Sequence, residues 1–70
     1  MNLIEKVKIV QNHLSLKNYS IAIEGAKKIL KKFPNNSYVH NLCGLALQGK
    51  GDLTNSINYF AKAIFYEQNN

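Results

Sequence analysis

A proline stands almost at the middle of this 70-residue chain, and the residues around it decide what the two sides can become. The stretch Lys31-Lys32-Phe33-Pro34-Asn35-Asn36-Ser37-Tyr38 ends one lysine-rich helical run and starts a second apolar-periodic run at once. Proline disfavours helix at Phe33 and cannot continue the hydrogen-bond ladder. Asn35 tolerates the left-handed conformation that closes a helix, and Asn36 or Ser37 offers a side-chain oxygen to cap the next one. Each half therefore reads as a helical hairpin.

The apolar spacing fills in the helices. From Asn2 to about Ser15, Leu3, Val7, Val10 and Leu14 make one helical stripe, which Ile4 and Ile9 widen. Glu5, Lys6 and Lys8 take the wet side, and Leu16-Lys17-Asn18 forms a connector with Asn18 or Ser20 as the next cap. A second helix runs to about Lys32 with Ala22, Ala26, Ile29, Leu30 and Phe33 inward, and its small Ala22, Gly25 and Ala26 admit a close neighbour. The third, from Ser37 to Gln48 or Gly49, buries Val39, Leu42, Cys43, Ala46 and Leu47. Gly44 inside it costs about 1 kcal/mol against alanine, which implies a neighbouring backbone packed close by. After Gly49-Lys50-Gly51-Asp52 turns the chain, Leu53, Ile57, Phe60 and Ile64 repeat along a fourth helix, with Phe60 at the core and fraying from Glu67. Short connectors make the neighbours antiparallel. The expected fold is all-α, two stacked antiparallel helix-turn-helix hairpins.

Composition excludes several classes of function. All nine basic residues are lysine, and asparagine and isoleucine are abundant, a bias that points to an AT-rich genome before it points to selected charge. The net charge of +5 favours acidic partners only weakly. A single cysteine cannot make an internal disulfide and suits a reducing compartment, so a cytoplasmic location is expected. The longest apolar run falls far short of the roughly 18 residues a membrane span requires, and no cleavable signal pattern opens the chain. His40 and Cys43 are three apart on a helix, with His13 of the first half as a third candidate ligand, but structural zinc takes four such ligands and a fourth is missing. Cys43 reads instead as a small core hydrophobe. The glycines at 49 and 51 lack the strand and the Gly-Lys-Ser/Thr end of a phosphate loop. No catalytic residue, cofactor or metal is expected. Lys27, Lys28, Lys31 and Lys32 form a basic patch near a helix C-terminus, where cations are favourable. Without arginine or interleaved aromatics the patch reads as a solvated face, with polyanion binding a weaker alternative and nucleic acid disfavoured.

The two halves share one plan. A shift of 34 residues places Asn36 on Asn2, Leu53 on Tyr19, Ile57 on Ile23, Lys62 on Lys28 and Asn69-Asn70 on Asn35-Asn36. Only five of the 36 overlapping positions are identical, but helix, turn, helix and break fall in register. The second half carries His40-x₂-Cys43-Gly44-x₂-Leu47, then Ser56-x₃-Phe60 and Ala63; the first carries Lys6-x₂-Ile9-Val10-x₂-His13, then Ala22-x₃-Ala26, Ile29 and Pro34. With the Gly51-Asp52-Leu53 turn, these residues resemble the tetratricopeptide repeats, whose unit has this length and spacing. Val10 in the small slot, Ser56 for alanine and Gln68 for proline depart from the family pattern. The resemblance covers two repeats, 3–36 and 37–70, forming one folded unit.

That resemblance implies a right-handed superhelical pair acting in protein interaction, with the first helix of each repeat lining a concave groove for a peptide or helix of a partner. The groove residues it implies are Ile4, Val7, Gln11 and Leu14 with Tyr38, Asn41, Leu45 and Gln48. They carry no positive charge, and Val7 and Leu42 replace the lysine and asparagine of the adaptors that clamp acidic chaperone tails. A regulatory or spacer segment of a longer bacterial enzyme, such as a sulfotransferase or glycosyltransferase, is the alternative the family implies. Two repeats leave much apolar surface uncovered. Ile57, Ile64, Phe65 and Tyr66 are expected to project from the last helix, where further repeats of a parent protein or a second copy of the chain would cover them.

Overall fold

The computed structural model describes residues 1–68 and is all-helical over them. Its elements are α1 (Leu3–Ser15), α2 (Tyr19–Lys32), α3 (Ser37–Lys50) and α4 (Leu53–Gln68). Each helix of the second hairpin begins 34 residues after its counterpart, Ser37 after Leu3 and Leu53 after Tyr19. The caps follow the same offset. Asn2 accepts from the Glu5 amide at 2.9 Å while the Glu5 carboxylate reaches back to the Asn2 amide, and Asn36 accepts from the Val39 amide at 3.0 Å. Both bonds satisfy amides that an open helix end would leave bare. Asn18 stands at the N-cap of α2 without a side-chain bond to it.

The central break differs in detail from the expectation. Among the described residues only Lys17 and Gly51 have positive φ, at 63° and 94°, so Asn35 is not left-handed. α2 ends instead at Phe33, whose amide still reaches the Ile29 carbonyl at 2.9 Å before Pro34 turns the backbone out of the helical conformation. That departure swings the Phe33 side chain off the buried stripe, and it is 42% exposed rather than inward. At the other turn, Gly51 takes the left-handed position that a Cβ would strain. α3 runs on to Lys50, and α4 is helical through Glu67 and Gln68, where fraying was expected. Asn69 and Asn70, and with them the last correspondence of the repeat, lie outside the described residues.

α3 is the central element. It packs against α1, α2 and α4, and it buries Val39, His40, Leu42, Cys43, Gly44, Ala46 and Leu47. Val10, Ala22, Ile23, Ala26 and Ile29 complete the core from the first hairpin. Leu3, Val7, Leu14, Tyr19, Leu30 and Tyr59 pack on its edge. Two glycines on α3 receive rings. A Cβ on Gly44 would lie 2.6 Å from the Phe60 ring, and one on Gly49 would overlap the Tyr19 ring. The close neighbour of Gly44 is thus an aromatic side chain, not a backbone, and Phe60 lies partly buried over that notch rather than at the middle of the core.

α4 meets α3 through small residues, with Ser56 and Ala63 buried. Its larger stripe of Leu53, Ile57 and Ile64 is more than half exposed. On α2 the corresponding Tyr19, Ile23 and Leu30 are the side chains that pack into the shared core around α3. The same stripe is therefore covered once and open once.

The ring-in-notch contact sets a test. Gly44→Ala is expected to destabilise the fold by about 1–3 kcal/mol despite alanine's better helix propensity, because the added methyl overpacks the Phe60 ring. In a Phe60→Ala background the same change should become neutral or stabilising, a coupling that chemical denaturation of the four variants measures. Additive costs would show that Phe60 does not occupy the notch.

Candidate functional site

The face shared by α1 and α3 is where the implied groove residues fall. The Gln11 amide donates to the Tyr38 hydroxyl, a side-chain bond that ties the first hairpin to the second across this face. Ile4, Tyr38, Leu45 and Gln48 are exposed around it. Val7 and Leu14 belong partly to the core, so their side chains offer less to a ligand than Ile4 or Leu45. Tyr38 and Asn41 also line an open depression of ≈ 600 Å³ whose other wall is Phe60, Ala63 and Ile64 of α4. The surface is apolar with amides, which suits a partly apolar segment anchored by a few polar bonds.

The four lysines of α2 are all exposed along one helix. Lys27 borders a depression with Ile23, Leu47, Asp52 and Tyr59. Lys28 and Lys32 border a different cavity with residues of α1. Lys28 also pairs with Glu24 one turn earlier at 3.6 Å, an exposed contact of little energetic weight. Of the side chains expected on the open face of α4, Ile57, Ile64 and Phe65 are exposed, whereas Tyr66 is partly buried. Its ring stacks on His40 with centroids 5.3 Å apart, and Phe65 meets it edge-on.

The titratable groups serve the fold. His40 is buried and its Nε2 lies 2.7 Å from the Pro34 carbonyl, so that nitrogen carries the proton and donates. Its ring also tilts against Tyr59 at 5.8 Å. His13 lies 3.4 Å from the Asn18 amide at the end of α1. Burial raises the Cys43 thiol above its ordinary pKa, outweighing the opposing field of Lys27 and the Tyr59 contact. Such a thiol stays protonated and is a poor nucleophile. Burial likewise raises the Tyr59 phenol, with Cys43 adding to it. Asp52 is held below its usual pKa by bonds from Asn55, whose amide side chain donates at 2.8 Å. Among the described residues no three His, Cys, Asp or Glu side chains converge as metal ligands, and no helix is long and apolar enough to cross a membrane.

Periodicity did not reveal the cavity lined by Ile9 and Gly25 of the first hairpin. Comparison with known proteins gives no matching family model, no matching curated protein and no matching solved structure.

Proposed function

We propose that this chain is a protein-interaction module of the tetratricopeptide type, whose α1/α3 face receives a peptide or helix of a partner protein. The observation that carries the reading is the Gln11–Tyr38 bond, which joins residues of both hairpins on one face and leaves Ile4 and Leu45 exposed beside it. A rigid surface built on helices positions such anchors without ordering cost at binding. The buried, protonated Cys43 suits a cytoplasmic protein of this kind. Peptides selected on the chain from a random display library test the site. Leu45→Asp and Ile4→Asp, both at exposed positions, should each weaken a selected peptide by at least about tenfold with the melting temperature unchanged. Selected peptides indifferent to both changes would place recognition elsewhere.

The open stripe of α4 favours a second, compatible reading. Leu53, Ile57 and Ile64 occupy the positions that on α2 join the core around α3, so this face suits a covering helix. Further repeats of a longer parent, in which this segment acts as regulatory spacer to an enzyme domain, would supply one. For the isolated chain, the cover is a second copy. Sedimentation velocity should show a dimer forming in the micromolar range, and Ile57→Glu with Ile64→Glu should keep the chain monomeric and folded. A wild-type chain that stays monomeric at high concentration would refute self-association.

A further inference from the structure

The two hairpins differ in the side chains that stand at three matching positions. Between α3 and α4 the rings of His40, Tyr59 and Tyr66 pack on one another, with centroids 5.3 Å and 5.8 Å from His40. At the 34-residue offset those three positions in the first hairpin are Lys6, Gly25 and Lys32. A glycine thus stands where the second hairpin has a tyrosine, and lysines stand where it has a histidine and a tyrosine. Beside them lies a cavity of ≈ 430 Å³ between α1 and α2, with Ile9, Ile29 and Phe33 as apolar wall and Lys6, Lys28 and Lys32 at its rim. That volume lies in the range of small-ligand sites. Among the described residues the one ion pair is Glu24–Lys28, so Lys6 and Lys32 remain uncompensated.

From this lining we infer that the cavity is a binding site for an aromatic side chain flanked by carboxylates, presented by an acidic segment of a partner protein. The ring is called for by the apolar wall of Ile9, Ile29 and Phe33. The carboxylates are called for by charge, since the rim is lysine on both helices and the C-terminal end of α2 is already crowded with cations. Lysine binds carboxylate as a point charge, which tolerates a range of acidic sequences around one fixed anchor. The site is separate from the α1/α3 face, because Ile9 and Gln11 are two residues apart and leave α1 on nearly opposite sides.

Titration of the 70-residue chain with an end-blocked Asp-Glu-Phe-Glu-Asp peptide, followed by amide NMR, tests this. The expected result is saturable shifts at Ile9, Gly25, Ile29 and Phe33, with those at Tyr38 and Leu45 unmoved. Replacing the peptide's phenylalanine by serine should weaken binding about tenfold, and so should Lys28→Gln with Lys32→Gln, whose exposed side chains leave the fold intact. A self-filled variant, Gly25→Tyr with Lys32→Tyr, should no longer bind. Because a Cβ at Gly25 would lie 3.0 Å from Val10 Cγ2, its fold is to be checked by circular dichroism, and the lysine variant decides the matter if it fails. Binding that ignores the phenylalanine and vanishes with salt would reduce the site to counterion attraction and overturn the proposal. Free phenylacetate binding as tightly as the peptide would overturn the assignment to a partner protein in favour of a small aromatic acid.

Discussion

Everything in this chain depends on the close approach that α3 allows. Its buried side is made of small and medium residues, with Val39, Cys43 and Ala46 fully enclosed, and its two notches at Gly44 and Gly49 take the rings of Phe60 and Tyr19. One ring comes from α4 and the other from α2. The glycines give up helix propensity in exchange for contacts with α2 and α4. So small a domain has little stability to spare, and a helix shared between two hairpins is what lets each bury a face it could not bury alone.

The same economy leaves the ends unequal. The stripe that α2 commits to the shared core is repeated on α4 as Leu53, Ile57 and Ile64, but no described element follows it. Between α1 and α2, glycine and lysine stand where α3 and α4 hold stacked rings. One repeated plan therefore yields three different surfaces: an apolar face on α4, an amide-bearing face across α1 and α3, and a lysine-rimmed hollow on the far side of α1. The buried histidine and cysteine, by contrast, are absorbed in packing.

Much of this was legible in the residues. The Phe-Pro break, the apolar stripes and the 34-residue register give the four helices with ends accurate to a few residues, because caps and periodicity are local properties. Side-chain destinations were less legible. Periodicity says that Leu53, Ile57 and Ile64 share a face but not whether anything covers it. Phe33 reads as inward by spacing, yet the proline beside it removes it from the helix whose spacing was counted. Gly44 announces a close neighbour without naming Phe60. Of the groove, Ile4 and Leu45 read as available and are exposed, while Val7 and Leu14 pack against the core. The cavity was illegible because α1 and α2 line it together, and periodicity within one helix does not say how two helices meet.

The central claim is that the two hairpins form one cooperative unit locked through α3. Native-state hydrogen exchange tests it most directly. Amides from Leu42 to Leu47 should exchange only by global unfolding, with the free energy found by denaturant melting, and those of α2 that face them should follow the same dependence. If the α1–α2 hairpin instead exchanged through a separate, cheaper opening while α3 and α4 stayed protected, the hairpins would be independent and the account would fail.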